Sequence, residues 1–472
     1  MEDIFSKVFD PVDFQRKGHA LIDLLSEHIT SVVNGKVKAI PWESPEKQLE
    51  FWKRDLNERQ VTDPTCLFKN VMDRSVKLHS PKYFGHQTSV PAFDAVLAGL
   101  VSELLNNGMG VYEMGMAGNA IEKVVIDLVA HKMGFSNQAA GFITSGGSLG
   151  NLTALLAARA ASSKVWTNGS RPEQDLAIMV SEQAHYSVYR AAKIIGLGEQ
   201  GIIKVPVDDN HKIRCDLLEQ IYSKQADAGV KVFCMIACAA STAIGAYDDI
   251  ETIAKFCDRH DIWLHTDGAH GAAVVFSQKY KELVKGIEQS DSVLLDFHKM
   301  MMTPSLSTSL IFRSKESAMH TFSQQAHYLW NDQQADEWYN SGKRTFECTK
   351  AMSSLKIYTL LKMHGLELFS SYVEKTYALA REFAIFLNFE NDFEIAHTPE
   401  SNVLCFRYKK GNDLNQINNY IRQALLEDGE FYIVQTTLNE NVYLRISLMN
   451  PLTEMSHLRG LVQKIRELAN LR

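Results

Sequence analysis

Short apolar runs alternate with amphipathic stretches through the middle of this chain. The apolar runs occupy residues 141–144, 176–180, 202–205, 231–238, 262–266, 292–295 and 309–312. Between most of them, apolar residues recur at helical spacing, at residues 149–161, 187–195, 217–227 and 249–259. Strands that alternate with helices are typical of β-α units. The pattern therefore predicts an α/β domain with a mainly parallel sheet, whose ligands gather at the carboxyl ends of the strands.

The two ends of the chain have a different pattern of apolar and polar residues. Asp10 and Pro11 begin a helical apolar pattern that reaches about residue 33. After residue 346, one long helical pattern covers residues 352–387, and shorter alternating segments follow it. We therefore predict an N-terminal helical arm at residues 1–80, a large domain at 81–345 and a small α+β domain at 346–472.

Composition and charge exclude several classes of protein. The 472 residues include 49 basic and 56 acidic side chains, and a net charge of −7 gives no reason to expect nucleic acid as the partner. The seven cysteines lack the C-x-x-C spacing of a metal or redox site, so we expect no metal and a reducing compartment, the cytoplasm. No stretch reaches the ~18–20 apolar residues of a membrane-spanning helix, so we expect no membrane partner.

A glycine-rich segment, Thr144-Ser-Gly-Gly-Ser-Leu-Gly-Asn151, joins a predicted strand to a predicted helix. Its glycines allow a ligand to approach the backbone, and the N-terminus of a helix attracts anions, so a phosphate is a natural guest. The same segment contains Gly-x-Ser-x-Gly, which is also typical of the nucleophile of serine hydrolases, here Ser148. A plain turn between a strand and a helix is the third interpretation.

Three more polar side chains follow predicted strands. Asp267, within His265-Thr-Asp-Gly-Ala-His270, is open to interpretation as a metal ligand with the two histidines, as the acid of a triad or as the partner of a cationic nitrogen. Lys299 follows the strand at 292–295, and a desolvated lysine amine is a nucleophile for carbonyl groups. His185 offers a flat ring that can stack on a ligand. Each of these residues, taken singly, also has an ordinary structural interpretation.

The four features together indicate one cofactor. A phosphate cradle, a flat ring, a carboxylate and an amine at the ends of successive strands are the parts that a pyridoxal-phosphate enzyme needs. Neither the metal interpretation nor the hydrolase interpretation uses all four features. We therefore predict pyridoxal 5'-phosphate as the cofactor.

With these residues in place, the sequence resembles the group II pyridoxal-phosphate-dependent amino-acid decarboxylases, which include glutamate, aromatic-amino-acid, cysteine-sulfinate and diaminobutyrate decarboxylases. The matching segments are Thr144 to Asn151, Glu182-Gln-Ala-His185, Ser241-Thr242 with Gly245 and Asp248, His265-Thr-Asp267-Gly-Ala and His298-Lys299. The resemblance implies a fold-type I enzyme, similar to aspartate aminotransferase. It also implies a homodimer with active sites at the subunit interface, in which the helix from Pro11 wraps the partner.

The resemblance also implies a role for each matching residue. Lys299 would bind the cofactor covalently, Asp267 would pair with its ring nitrogen, and His185 would stack on its ring. Tyr328 would help to protonate the product. The other implied cofactor contacts are Gly147, Ser148, Thr242, Ala269 and His298, and the implied substrate contacts are Phe84, His86, Gln87 and Arg445.

The implied reaction is decarboxylation of an L-α-amino acid to its amine. We expect a polar side chain on the substrate, since a protonated His86 would pair with glutamate or aspartate, while His86 and Gln87 could equally hydrogen-bond 2,4-diaminobutyrate. Around Thr242, at Asp296 and after Lys299 the chain departs from the family pattern. The resemblance therefore does not assign the substrate of any one family member to this chain. An aminotransferase, an aldehyde-forming relative and a serine hydrolase that uses Ser148 are the alternatives.

Overall fold

The computed structural model of the chain describes residues 4–58, 61, 63–169, 175–322 and 337–471. Their α-helices are α1 (Ile4–Val8), α2 (Pro11–Val33), α3 (Pro45–Asn57), α4 (Pro64–Arg74), α5 (Phe93–Leu105), α6 (Tyr112–Gly115), α7 (Ala117–Lys132), α8 (Gly147–Ser162), α9 (Val165–Asn168), α10 (Tyr186–Ile194), α11 (Leu218–Asp227), α12 (Ile250–Arg259), α13 (Phe297–Met300), α14 (Lys315–His320), α15 (Ser354–His364), α16 (Glu367–Asn388), α17 (Leu414–Asp428) and α18 (Met455–Asn470). Their strands are β1 (Ala140–Thr144), β2 (Leu176–Ser181), β3 (Ile202–Val205), β4 (Lys231–Cys238), β5 (Trp263–Asp267), β6 (Ser292–Asp296), β7 (Thr308–Phe312), β8 (Phe393–Ile395), β9 (Val403–Tyr408), β10 (Val434–Leu438) and β11 (Asn441–Ser447).

These elements form two compact units. The smaller unit contains residues 1–86, 382–396 and 405–472, and the larger unit contains residues 87–381 and 397–404. Both units are therefore assembled from segments that are far apart along the chain. The division into three consecutive segments that we drew from the sequence stays a prediction.

A seven-stranded mixed sheet forms the centre of the larger unit, in the order β1-β7-β6-β5-β4-β2-β3. Strands β2 to β6 pair in parallel, whereas β7 lies antiparallel between β1 and β6. This confirms the predicted α/β fold with a mainly parallel sheet. Strands β4 and β6 are buried at almost every position, because helices cover both faces of such a sheet, and this is why they appear in the sequence as continuous apolar runs.

Helices packed on this sheet form the core of the larger unit. One apolar cluster joins α8 and α10 to β2 and β4, through side chains such as Leu155, Val188, Val180 and Phe233. A second cluster places Phe142, Leu294 and Phe312 against α8. The helix that follows the glycine-rich segment is thus fixed to the sheet by apolar contacts along its length.

The smaller unit is built on a four-stranded sheet in the order β10-β11-β9-β8. Strands β10 and β11 are antiparallel, and so are β8 and β9. The alternating segments near residues 403–408 and 442–448 are found as β9 and β11, whereas β8 and β10 are additional strands. An apolar cluster of Ile40, Tyr83, Leu426, Tyr432 and Val434 joins the N-terminal segment to this sheet and to α17.

One predicted helix is wrong in its extent. The pattern at residues 352–387 divides into α15 and α16, because Gly365 adopts a φ of +67° at the end of α15. The N-terminal helical pattern ends as α2 at Val33, and a separate helix, α3, follows, whose first turn is capped by Ser44 accepting from the amide of Lys47. No helix in the described ranges is both long enough and apolar enough to cross a membrane.

Candidate active site

Lys299 lies in α13, the short helix that directly follows β6. Its amine nitrogen lies 3.0 Å from Oδ2 of Asp296, the last residue of that strand, and the side chain is 22% exposed. Asp296 is almost fully buried and accepts a hydrogen bond from the hydroxyl of Thr308 on β7. The sheet thus holds Asp296 rigidly, and the short helix presents the lysine amine at the carboxyl end of the sheet.

The N-terminus of α8 lies beside Asp296. A Cβ atom added to Gly147 would lie 3.3 and 3.4 Å from the two carboxylate oxygens of Asp296. Gly146, with a φ of +122°, is the N-cap of α8, and no side chain caps this helix. The first backbone N–H groups of α8 therefore face the space beside Lys299, with the exposed side chain of Ser148 in the same turn.

These features suit the phosphate of pyridoxal phosphate. Uncapped N–H groups and the helix dipole attract an anion, and the absence of a side chain at Gly147 leaves room for it. The amine of Lys299 adds a positive charge at the same end of the sheet. Asp296 works against the phosphate, because its carboxylate faces the same helix terminus.

Asp267 ends β5 and is 7% exposed. Its Oδ2 accepts a hydrogen bond from the amide nitrogen of Asn151 at 3.0 Å, and its Oδ1 accepts one from the backbone N–H of Ala269 at 3.2 Å. Each carboxylate oxygen therefore has a fixed donor. A carboxylate held in this way can pair with a cationic nitrogen of a bound ligand.

His185 is the N-cap of α10 and lies in the short loop that follows the end of β2 at Ser181. Its Nδ1 lies 2.7 Å from Ser187 Oγ, and burial lowers the pKa of the imidazole. The charges of Asp267, Lys299 and Asp296 all act on this ring. Hydrogen bonds through Ser187 and Asn151 therefore connect His185 with Asp267, the last residue of β5.

Three further predicted cofactor contacts lie in the larger unit. Thr242 is half-buried in the turn that follows β4, and Ala269 is half-buried two residues after Asp267. His298 precedes Lys299, and its Nδ1 lies 2.9 Å from the backbone oxygen of Ser307, so the ring is turned toward the loop before β7. The contacts of these residues with a cofactor stay predictions.

The two alternative chemistries find little support. His265 is hydrogen-bonded to Asn151 and Ser292, and His270 to Asn402, so neither histidine joins Asp267 in a metal site. Among the described residues, no group of three or more His, Cys, Asp or Glu side chains is arranged to hold a metal ion. Within the described part of the chain, Ser148 forms no hydrogen bond to a histidine that could act as the base of a serine hydrolase.

Three of the four predicted substrate contacts lie in the smaller unit. Phe84 is fully buried and joins the backbone of Tyr432 to that of Ser447. The neighbouring His86 is exposed, and its Nε2 lies 3.1 Å from the hydroxyl of Tyr432. Arg445 is 6% exposed in the centre of β11.

The electrostatics around His86 differ from the picture of a charged imidazole. Burial lowers its pKa, and the positive charges of Arg445 and Arg422 lower it further. Both effects disfavour the protonated imidazole of His86, which lies as a hydrogen-bonding group within the positive field of two guanidinium groups.

The remaining predicted residues fall elsewhere. Gln87 is half-buried in the larger unit, and its amide nitrogen lacks a hydrogen-bond partner among the described residues. Tyr328 lies outside the described residues. The roles assigned to all these side chains stay predictions.

Two residues of the site were missed as functional candidates. Asn151 closes the glycine-rich motif, and Ser187 follows His185, yet both bond directly to predicted cofactor contacts. A signal for Asn151 was present, since a polar residue one turn into an apolar helix needs a buried partner. The identity of that partner, Asp267, depends on the packing of α8 against β5.

Comparisons with known proteins bear on the family of this chain. A family model described as the pyridoxal-dependent decarboxylase conserved domain matches residues 55–409. An aromatic-L-amino-acid decarboxylase of Bacillus atrophaeus is 26% identical over 474 residues, covering 97% of this chain and 95% of that protein. An L-2,4-diaminobutyrate decarboxylase of Acinetobacter baumannii is 26% identical over 415 residues, covering 84% and 81%. An acidic amino acid decarboxylase of Xenopus tropicalis is 27% identical over 392 residues, covering 82% and 76%.

Solved structures share the fold. The crystal structure of mouse CSAD in apo form has a TM-score of 0.90 and 23% sequence identity, covering 98% of this chain and 99% of that chain. The crystal structure of Catharanthus roseus tryptophan decarboxylase with L-tryptophan has a TM-score of 0.88 and 19% identity, covering 98% and 99%. At these identities the likeness is one of fold.

Proposed function

Because this chain belongs to the pyridoxal-dependent decarboxylase family, we propose that it releases carbon dioxide from an L-α-amino acid whose side chain is polar and acidic. The chain is a carboxy-lyase with pyridoxal phosphate as cofactor, so the open question is the substrate. The names of its relatives span aromatic, acidic, diamino and sulfinic substrates.

The bound cofactor supplies an electron sink for the bond that the carboxyl group leaves. Lys299 would hold the cofactor through its amine, which the structure presents at the end of the sheet. Asp267 would keep a proton on the ring nitrogen, because an adjacent negative charge favours the cationic form. His185 would lie against the ring, and Gly147 and Ser148 would bind the phosphate through the N-terminus of α8.

Two further residues would act on the substrate. Arg445 would bind the α-carboxylate, since a guanidinium group matches a carboxylate in geometry and charge. Tyr328 would donate its hydroxyl proton to the α-carbon after carbon dioxide has left. We propose both roles from the match of these residues to the family pattern. Thr242, Ala269 and His298 would complete the cofactor site.

The pair of His86 and Tyr432 carries the proposal for an acidic side chain. Their polar atoms lie 3.1 Å apart, so this part of the smaller unit offers hydrogen-bonding groups in place of an apolar surface. The guanidinium groups of Arg445 and Arg422 act on the same imidazole. A positive field favours the carboxylate of aspartate or glutamate over the ammonium group of 2,4-diaminobutyrate.

Carbon dioxide release from a panel of amino acids tests this proposal. The panel contains aspartate, glutamate, cysteine sulfinate, 2,4-diaminobutyrate and tryptophan, and kcat/KM is measured for each. We expect the acidic substrates to lead by at least about tenfold, which is the effect of about 1.4 kcal/mol. A lead for tryptophan or for 2,4-diaminobutyrate would overturn the choice of an acidic side chain.

Two variants and one product analysis sharpen that test. His86→Phe should lower kcat/KM for the acidic substrates and bring it closer to the kcat/KM for tryptophan. Tyr432→Phe removes only a hydroxyl group and should have the same effect more weakly. Mass analysis of the products separates the amine of a decarboxylase from the keto acid of an aminotransferase and from an aldehyde. Ester hydrolysis that disappears with Ser148→Ala and survives Lys299→Ala would instead reveal a serine hydrolase.

We also propose that the protein is a homodimer whose subunits meet at α5. This helix leaves the apolar side chains of Val96, Leu97, Leu100, Val101 and Leu104 exposed, while Ala95, Ala98 and Ser102 face the interior of the larger unit. An apolar face of this kind is typical of a protein interface. A second copy is the occupant that fits the family pattern, in which active sites lie between subunits.

Light scattering after size-exclusion chromatography tests the dimer. Leu100→Lys with Leu104→Lys should convert a dimer into a monomer, because two charges would be buried at the interface without partners. Ile385→Lys is the control, since Ile385 is an exposed apolar residue on a different helix, α16. A wild-type protein that runs as a monomer would refute this assembly.

A further inference from the structure

Asn151 contacts three side chains of the candidate site. It lies in the second turn of α8 and is 2% exposed. Its amide nitrogen lies 3.0 Å from Asp267 Oδ2 and 2.9 Å from Ser187 Oγ, while its amide oxygen lies 2.9 Å from His265 Nε2. A single buried amide thus connects β5 with the start of α10.

The chemistry of Asp267 fixes the orientation of this amide. An ionised carboxylate only accepts hydrogen bonds, so the nitrogen of Asn151 must face Asp267. The second hydrogen of the same nitrogen is then directed to the hydroxyl of Ser187. The amide oxygen accepts from His265, and both donors of the amide are used.

A chain of donors extends from Asn151 along the sheet. The Nε2 atom of His265 must carry a hydrogen to bond the amide oxygen, which leaves Nδ1 as an acceptor 2.8 Å from Ser292 Oγ. The indole N–H of Trp263 donates to that same hydroxyl at 3.0 Å, so the hydroxyl hydrogen of Ser292 is directed to His265. Every donor in this series of hydrogen bonds therefore points toward Asp267.

The direction of these hydrogen bonds is fixed because His265 is neutral. Burial lowers the pKa of this imidazole to about 4, so it carries one hydrogen at physiological pH. A fully satisfied network of buried polar groups is rigid, since each hydrogen bond fixes the donor of the next. Asp267 is held at the end of this network.

A second branch reaches His185. The hydroxyl of Ser187 accepts from Asn151, so its own hydrogen is free to point to His185 Nδ1 at 2.7 Å. The backbone N–H of Ser187 is directed to the same ring nitrogen at 3.3 Å. Both contacts make Nδ1 an acceptor and place the ring hydrogen on Nε2.

We propose that Asn151 is the positioning residue of the cofactor site, whose single amide orients both the carboxylate of Asp267 and, through Ser187, the ring of His185. This inference rests on the proposed roles of Asp267 and His185. Asn151 itself touches neither substrate nor cofactor in this assignment. It sets the geometry of the two groups that contact the edge and the face of the cofactor ring.

Cofactor binding to the purified, cofactor-depleted protein tests this assignment. Asn151→Leu keeps the branched shape of the side chain and removes both donors and the acceptor. We expect its dissociation constant for pyridoxal phosphate, measured by quenching of tryptophan fluorescence, to rise about tenfold or more. The visible absorbance spectrum of the bound cofactor should also change, because the ring nitrogen would lose a fixed partner. Asn151→Ser, which cannot span Asp267 and His265, should act in the same direction.

Asn418→Leu is the matched control. Asn418 is equally buried, and its amide hydrogen-bonds the backbone oxygens of Tyr408 and Leu414 within the smaller unit. A purely structural role predicts that Asn151→Leu and Asn418→Leu both lower the thermal midpoint and both leave the dissociation constant and spectrum unchanged. The positioning role predicts that Asn151→Leu alone changes the binding and the spectrum.

Asp267→Asn separates this inference from the proposed function. If Asp267→Asn weakens binding and alters the spectrum while folded Asn151→Leu and Asn151→Ser behave like wild type, the positioning role is wrong and the role of Asp267 stands. If Asp267→Asn also behaves like wild type, the proposed contact of Asp267 with the cofactor is wrong. Should Asn151→Leu fail to fold, the smaller Asn151→Ser change decides the outcome by the same two measurements.

Discussion

The amine nitrogen of Lys299 lies 3.0 Å from Oδ2 of Asp296, the residue that ends the strand before it. The same carboxylate lies beside Gly147, at the N-terminus of α8, where the phosphate of the cofactor is expected. Asp296 thus faces a cation in the protein and an anion in the ligand. If the phosphate binds there, the balance between these two contacts would determine how tightly it is held.

Asp296→Asn should tighten the binding of pyridoxal phosphate. The change removes a buried negative charge next to the expected phosphate while it keeps the size of the side chain. We expect the dissociation constant to fall by about fivefold to tenfold, the equivalent of about 1 kcal/mol. The measurement is a fluorescence titration of the cofactor-depleted protein.

Asp291→Asn is the matched control for this prediction. Asp291 is a partly buried acid whose pKa is raised by burial, but it precedes β6 and so lies at the opposite end of this strand from Asp296. Asp291→Asn should leave the dissociation constant for pyridoxal phosphate unchanged. Weaker binding by Asp296→Asn would show that the carboxylate contributes to the phosphate site in place of opposing it.

The sequence predicted the α/β fold and the strands of the larger unit because their signals are local. Buried parallel strands read as apolar runs, and a glycine-rich turn or a polar residue marks where each strand ends. The positions of His185, Asp267 and Lys299 at the ends of strands followed from this pattern alone. Their contacts did not, since Asp267 meets Asn151 only when α8 packs on the sheet.

Other features depended on tertiary structure. A single glycine inside a helical pattern is tolerated in many helices, so Gly365 alone did not indicate the break between α15 and α16. Strand β8 has only three residues and offers almost no periodicity. The lowered pKa of His86 depends on its burial in the folded chain and on two arginines that are remote in the sequence.

Replacing glycine by alanine should have opposite effects in two helices. Gly365 ends α15 with φ +67° and ψ −169°, a conformation that side chains disfavour, so Gly365→Ala should cost about 1–3 kcal/mol. Gly18 lies inside α2 with open space around its Cα, so Gly18→Ala should stabilise by about 0.5–1 kcal/mol. Thermal unfolding followed by circular dichroism measures both changes.

The opposite signs are the informative part of that comparison. Two destabilising changes would mean that Gly18 contacts a surface, such as a partner subunit, that an added methyl group disturbs. A neutral Gly365→Ala would mean that α15 and α16 adjust their junction at little cost. The first result would contradict an open surface at Gly18, and the second would contradict a strained backbone at Gly365.

The ring of His185 should matter more for cofactor binding than its nitrogen atoms. His185→Phe and His185→Ala both remove the Nδ1 acceptor at the N-cap of α10, so both should lose a similar amount of stability, about 1 kcal/mol. Only the phenylalanine keeps a flat ring that can stack on the cofactor. We expect His185→Phe to bind pyridoxal phosphate within a few-fold of wild type and His185→Ala to bind about tenfold more weakly. Equal losses in the two variants would rule out stacking as the role of this ring.

The stability of the protein should depend on pH through His265. Burial lowers the pKa of His265 from 6.5 to about 4 in the folded chain. Between these values the unfolded chain binds a proton at this residue and the folded chain does not, so stability rises with pH across this window and falls as the solution is acidified. His265→Gln should remove this contribution and lower the slope of unfolding free energy against pH by up to about 1.4 kcal/mol per pH unit.

Asp248 provides a contrast of opposite sign in the same measurement. It is buried, accepts hydrogen bonds from the amides of Ile213 and Cys238, and burial raises its pKa from 3.8 to about 6. At this residue the folded chain binds the extra proton, so stability is lost as pH rises through this window, and Asp248→Asn should make the slope more positive. Urea unfolding of wild type and both variants across the window measures the slopes. A His265→Gln slope parallel to wild type, or a shift of both variants in one direction, would mean that these groups do not titrate as their burial requires.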